Sequence, residues 1–243
     1  QWSGDMTKRN FLRKRKISTV ADSGFDLIDY WNMFKHDFRT PFIYFFERHL
    51  FDLVNQTDTH KRLLVEDYDG DIQDSIHAFN HSCSWTSIIK ASLTFVSQYL
   101  GSKSSEYSFF DVGCGKGKVL LVASREGFSE NFLGLYGIEI NDDLVEVAHN
   151  NFQAMGLPPC NIITESARTF DLGKINKKVV IYLYNPFDET LLGEFLKVQS
   201  VDECIIIYNN PQFAESIASA GYKVIKNKEH TMINGQVTIY EKL

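Results

Sequence analysis

Phe109-Phe110-Asp111-Val112-Gly113-Cys114-Gly115-Lys116-Gly117 is a short apolar run that ends in three alternating glycines. The run from Ser108 into Gly113 reads as a strand, and Lys118 to Glu126 reads as a helix closed at Gly127. Glycines at such a strand-to-helix turn free φ and let the backbone approach a ligand closely. A dinucleotide loop has the spacing GxGxxG, with pyrophosphate over the helix N-terminus. Here the third glycine is Gly117, and position 118 holds Lys118. That spacing is wrong for a phosphate cradle. Asp111, two positions before the first glycine, can orient a cationic amino group directly or through water.

Strand and helix signals alternate from this loop to the end of the chain. Leu135 to Ile140 is a second strand, and Asn141 caps a helix that carries Asp142 and Asp143 in its first turn. That helix turns Leu144, Val145, Ala148, Phe152 and Met155 inward and stops at Gly156. Asn161 to Glu165, Lys178 to Tyr184 and Glu203 to Tyr208 read as three further strands. The helix after the fourth turns Leu191, Leu192, Phe195 and Leu196 inward, and the helix after the fifth runs from Gln212 to Gly221. Tyr222 to Asn227 and Val237 to Glu241 are the last two strands. Asn234-Gly235 between them favours a type I′ turn, which joins antiparallel strands. The chain therefore predicts an α/β fold: a seven-stranded sheet, mostly parallel, with a C-terminal antiparallel hairpin.

Candidate functional residues lie where these strands end. Glu139 stands 26 residues after Gly113, where a carboxylate can accept protons from two ribose hydroxyls. Glu165-Ser166-Ala167 closes the third strand, with Phe170 beyond it to flank a ring. The fourth strand ends in Tyr184-Asn185-Pro186-Phe187, with Asp188 as cap of the next helix, and the fifth in Tyr208-Asn209-Asn210-Pro211. Both corners open on the carboxyl edge of the sheet, where ligands of such folds sit; the second reads foremost as turn chemistry. His77 and His81 could share a helical face near Cys83, but they have no matched fourth ligand, so no metal is predicted.

Asp-Val-Gly-Cys-Gly-Lys-Gly, Gly137-Ile138-Glu139, Glu165-Ser166-Ala167 and Tyr184-Asn185-Pro186-Phe187 together resemble the class I S-adenosylmethionine-dependent methyltransferases. More narrowly, the chain resembles small methyltransferase-domain proteins of uncharacterised acceptor. The resemblance covers residues 85–243 and implies a Rossmann-like fold that binds S-adenosyl-L-methionine, which has no phosphate to cradle. It implies cofactor contacts at Asp111, Gly113, Cys114, Gly115, Gly117, Glu139, Ile140, Glu165, Ser166, Ala167 and Asn185. It places Asn185, Phe187 and Tyr184 beside the transferred methyl. Relatives that methylate adenine or glutamine carry Asn-Pro-Pro-aromatic at this corner, whereas this chain has one proline. Asn185-x-Phe187 also matches the spacing of Asn-Asn-Phe in seven-stranded histone-lysine methyltransferases. The acceptor is left open, with protein-lysine N-methylation and a catalytically inactive binding module as alternatives. Aminopropyl transfer would need acids beside Asn185, and none stand there.

The rest of the chain sets the context. Its 243 residues, 44% hydrophobic and 23% charged, are those of an ordinary globular protein. A net charge of -6 argues against duplex nucleic acid as a partner, although Lys8, Arg9, Arg13, Lys14, Arg15 and Lys16 form a basic arm suited to an acidic one. Cys83, Cys114, Cys160 and Cys204 form no CxxC pair, which predicts reduced thiols and a cytoplasmic setting. No run approaches the ~20 apolar residues of a membrane helix. The start at Gln1 and the lack of a signal pattern imply a processed chain. Residues 1–84 read as the basic arm plus an aromatic-rich helical cap, and residues 85–243 as the ligand-binding domain. Within the cap, Tyr30, Trp31, Phe34, Phe38, Phe42, Tyr44, Phe45 and Phe46 are expected in the core of two helices broken at Pro41. Trp85 to Leu100 reads as a helix ended by Gly101, and Ser102 to Glu106 as a linker.

Overall fold

The computed structural model describes residues 27–60, 83–229 and 236–242. Seven strands form one sheet: β1 (Ser108–Val112), β2 (Gly134–Ile138), β3 (Asn161–Ile163), β4 (Lys178–Leu183), β5 (Glu203–Asn209), β6 (Lys223–Glu229) and β7 (Gln236–Lys242). Their order is β3-β2-β1-β4-β5-β7-β6. β1 to β5 are parallel, and β7 runs antiparallel to both β5 and β6. The expected sheet and its closing antiparallel pair are present; the Asn234-Gly235 turn lies outside the described residues. β2 stops at Ile138 rather than Ile140, because the Ile140 and Asn141 N–H groups donate to the Glu139 carboxylate instead of a neighbouring strand. β3, paired to β2 alone, ends level with it at Ile163 rather than at Glu165.

Eight α-helices are described: α1 (Leu27–His36), α2 (Thr40–Arg48), α3 (Leu50–Asn55), α4 (Thr86–Leu100), α5 (Lys118–Arg125), α6 (Asp142–Ala154), α7 (Glu189–Val198) and α8 (Ala214–Ser219). Alternate strand residues point to opposite faces, so each strand feeds two cores. Phe109, Val180, Tyr182, Ile205 and Ile207 pack with Ile89 and Leu93 of α4 and Leu120 and Leu121 of α5. Phe110, Val112, Ile181, Leu183 and Ile206 pack with Leu191, Leu192 and Phe195 of α7 and Ile217 of α8. Full burial of one such side chain contributes about 1.5–3 kcal/mol. The central strands therefore read as unbroken apolar runs, and they hold the loops at their carboxyl ends on a rigid base.

The N-terminal segment differs from its sequence reading in two respects. Pro41 lies in the first turn of α2, where its missing N–H costs nothing, and a further helix, α3, follows His49, so the described residues 27–60 hold three helices where two were expected. The aromatic rings are not all core. Trp31, Phe34, Phe38, Phe42 and Phe46 are half or more exposed, Phe42 at 61%. A single layer of short helices buries one face only, and Ile43, Tyr44 and Phe51 supply it. The stretch read as a linker after α4 is a 3₁₀ turn over Gly101–Glu106. The basic arm Lys8 to Lys16, His77 and His81 lie outside the described residues.

Candidate functional site

β1 delivers Asp111 to the edge of the sheet, and the chain then turns through Gly113, Gly115 and Gly117 at φ +73, +52 and +80. Only glycine holds such angles without strain. At Gly113 the need is also steric, because a Cβ there would overlap Pro186 Cβ. The glycine loop and the corner after β4 are therefore in direct contact. Gly113 and Cys114 donate their N–H groups to the Ile138 carbonyl at 2.8 and 3.0 Å, which ties the loop to β2. Cys114 is buried against Gly137, where a Cβ would stand 2.7 Å from its sulfur, and burial pushes its thiol pKa well up.

Two carboxylates are buried beside the loop, and they are satisfied differently. Glu139 Oε1 accepts from the N–H groups of Ile140 (2.9 Å) and Asn141 (3.0 Å), and Oε2 from Gly115 (2.9 Å). Burial raises its pKa, and these three donors oppose the rise. Asp111 is 4% exposed. Burial first, and the charge of Glu139 second, push its pKa well above the usual carboxylate range. A buried acid beside a second acid is costly alone and favourable beside a cation.

At the end of β3, Glu165 is exposed and Ser166 organises a turn, its Oγ accepting from Arg168 N at 3.2 Å. Ala167 and Phe170 pack against the core below that turn, and Ile140, 36% exposed, lies after β2. Asn141 Oδ1 caps α6 on Leu144 N at 3.0 Å, as its position implies.

The corners after β4 and β5 lie side by side, because the parallel register pairs Leu183 with Tyr208. Asn185 takes φ +43 and Asn210 φ +54, uncommon values that asparagine tolerates best among non-glycine residues. Asn185 Nδ2 donates to the Asn210 carbonyl at 2.8 Å, and its Oδ1 is buried with no partner. Phe187 is 5% exposed, with its ring centroid 5.9 Å from that of Phe195 in the lower core. Asp188 Oδ1 caps α7 on Leu191 N (3.0 Å), so the helix begins directly after Phe187. Tyr184 is half-buried against the upper core.

Strand order 3-2-1-4-5-7-6, with the seventh strand alone reversed and a glycine loop after the first, leaves one architecture. It is an α/β, Rossmann-like seven-stranded sheet, mostly parallel and closed by an antiparallel pair. No protein-family model and no curated protein matches the chain. Solved structures similar to it include an rRNA methylase from Streptococcus thermophilus, at 12% identity and a TM-score of 0.47 over 64% of this chain and 96% of that one. TrmN from Thermus thermophilus is similar at 15% identity and a TM-score of 0.47, over 66% of this chain and 49% of that one. Magnesium protoporphyrin IX methyltransferase from Synechocystis PCC 6803 with bound SAM is similar at 12% identity and a TM-score of 0.45, over 64% and 79%.

Several residues near the ends of these strands and around the glycine loop carry no sequence motif. Asn209 has no exposed surface; its Nδ2 donates to Ser84 Oγ (3.3 Å) and Tyr182 Oη (3.4 Å), and its Oδ1 has no partner. Lys116, buried within the glycine loop, pairs with Asp58 at 3.2 Å, and Asn151 bonds both the Asp58 and Lys116 carbonyls. Lys118, also buried, donates to the Glu47 carbonyl at 2.9 Å and lies 3.8 Å from Cys83 Sγ. Asp52 gathers residues 57–60 through Thr57 Oγ1, Thr59 N and Thr59 Oγ1, each at 2.7 Å, and through both His60 nitrogens that face it. Burial pushes this carboxyl up, and the His60 and threonine bonds outweigh it to hold the pKa at about 2. A lysine inside the glycine loop and another directly after it were the available signal, since a buried lysine requires a partner. Among the described residues no group of His, Cys, Asp and Glu is placed to hold a metal, and no helix is long and apolar enough to cross a membrane.

Proposed function

We propose that the chain is an S-adenosylmethionine-dependent methyltransferase, with residues 85–243 as its catalytic domain and residues 1–84 as a basic arm and helical cap, of which Glu47 and Asp58 contact Lys118 and Lys116. The observation that carries this reading is the loop after β1: Gly113, Gly115 and Gly117 all take positive φ, a Cβ on Gly113 would overlap Pro186, and two buried carboxylates, Asp111 and Glu139, stand beside it. A ligand with a cationic amino group and ribose hydroxyls, and without phosphate, satisfies that arrangement. Asp111 would take the amino group. Glu139 Oε2 accepts one N–H, from Gly115, and retains a lone pair for a ribose hydroxyl. Ala167 and Phe170 would border the base.

Adenosylmethionine, when bound, supplies a methyl group on a positively charged sulfur, which is already activated. The protein's part is then chiefly to position, because aligning donor and nucleophile removes much of the barrier. Asn185 and Pro186 stand against the glycine loop and border the place where an acceptor must enter. No histidine or carboxylate is needed to generate an electrophile.

Transfer of a labelled methyl group from adenosylmethionine to a fraction of total cell extract tests this function. The wild-type chain transfers label, and Glu139→Ala transfers at least roughly tenfold less, from the loss of one charge-assisted hydrogen bond. No transfer by the wild type, or equal transfer by both, contradicts it.

A further inference from the structure

Residues 113–117 carry only two side chains, Cys114 and Lys116, because the other three are glycines. Glycine loses more freedom than any other residue when it is fixed, so such a loop keeps one shape only where something outside holds it. Cys114 is held from β2, against Gly137. Lys116 is held from the cap and from α6. Its Nζ lies 3.2 Å from Asp58 Oδ1, with 8% of the side chain exposed, and its carbonyl accepts from Asn151 Nδ2 at 3.0 Å. Asn151, on α6 and 3% exposed, also donates to the Asp58 carbonyl at 3.1 Å and accepts from the Asp58 N–H at 2.7 Å. One buried amide thus spans α6, the cap and the glycine loop.

A buried lysine stripped of its carboxylate is an uncompensated charge, and breaking such a pair is costly. The loop therefore keeps Lys116 buried, in the shape observed, while Asp58 is seated on it. The neighbouring Gly115 donates its N–H to Glu139 Oε2, the oxygen proposed above for a ribose hydroxyl. Seating of the cap and orientation of that carboxylate are joined through consecutive residues of one loop. We infer that Asp58 and Asn151 are positioning residues for the cofactor, and that cap docking and cofactor binding favour each other through Lys116. This rests on the methyltransferase reading above. Coupling of this kind is reciprocal: what cap docking adds to cofactor affinity, the cofactor adds to cap docking.

Titration with S-adenosylhomocysteine of the wild type, Lys116→Met, Asp58→Asn, their double variant and Asn151→Ala tests the coupling, each well below its own melting temperature. Each single variant is expected to bind roughly tenfold more weakly, a typical size for coupling between sites. The double variant is expected to bind no more weakly than the weaker of its two parents, because the pair is lost only once. Hydrogen exchange supplies the reciprocal readout. In the wild type the ligand slows exchange of the Asp58 and Thr59 N–H groups, which bond Asn151 and Asp52, and in Lys116→Met that slowing is lost. A merely structural pair would speed this exchange equally with and without ligand and leave affinity unchanged. That result, or losses that add in the double variant, overturns the inference, and undiminished affinity in Asn151→Ala overturns the part given to Asn151. No binding of S-adenosylhomocysteine by the wild type overturns the methyltransferase reading and this inference with it. Binding by the wild type that the variants leave unchanged overturns this inference alone.

Discussion

At the ends of β1 and β2 stand Asp111 and Glu139, two buried carboxylates whose charges oppose each other; at the ends of β4 and β5 stand Asn185 and Asn209, two uncharged amides, each with a buried Oδ1. The acids are worst off when empty and gain from a cation. The amides gain only from hydrogen-bond donors. On the proposed function, affinity for the cofactor belongs to the first pair, and Asn185 of the second borders the place where an acceptor enters. Changes on the two sides should therefore have separable effects.

The largest effect belongs to Gly113→Ala, which strikes the contact joining both sides. The new Cβ overlaps Pro186 and φ +73 is unfavourable, so stability falls by about 3 kcal/mol and cofactor affinity is lost; denaturant unfolding and calorimetry measure both. Glu139→Ala comes next. It removes the acceptor of the Gly115, Ile140 and Asn141 N–H groups and lowers cofactor affinity about 10- to 100-fold, against no change for Asn209→Leu. Equal losses in affinity for these two variants would erase the distinction.

A pH series sharpens the comparison further. The folded pKa of Asp111 is raised, so its contribution to stability is present when it is protonated and is lost as pH rises through the raised value. A bound cation restores that loss. The rise in melting temperature produced by S-adenosylhomocysteine should therefore grow with pH, and binding should release a proton, detectable as a dependence of calorimetric heat on buffer. Asp111→Asn abolishes both trends. The smallest effect on the ligand comes from Asp52→Asn, in the cap. Asp52 is held at about 2, below its ordinary 3.8, so its stabilisation is present above about pH 4 and lost as pH falls toward 2. It is worth about 2 kcal/mol, and the variant loses that acid-sensitive step in a pH titration of unfolding.

The sheet was legible because its signals are local. Glycines after Val112, Arg125 and Ala154 mark turns, and apolar strands buried on both faces need no partner to be recognised. The acids at positions 111 and 139 were legible through their distance from those glycines. The cap was not. Aromatic content at Trp31, Phe34 and Phe42 reads as core, but which face of a helix is buried depends on what lies against it, and one layer left these rings outside. The burial of Phe187 was not legible either. Its place two residues after Asn185 matched a ring beside the methyl, and the ring packs against Phe195 directly before the Asp188 cap. Asn209 read as turn chemistry, because its significance arises from Ser84, 125 residues away in the chain, and from Tyr182 on the next strand.

The central claim, that the glycine loop and its two acids hold adenosylmethionine, is tested most directly by calorimetric titration of the wild-type chain with S-adenosylhomocysteine and, separately, with NAD. One S-adenosylhomocysteine bound per chain with release of a proton, and no heat from NAD, is the predicted result. Binding of NAD, or no binding of S-adenosylhomocysteine, would contradict it.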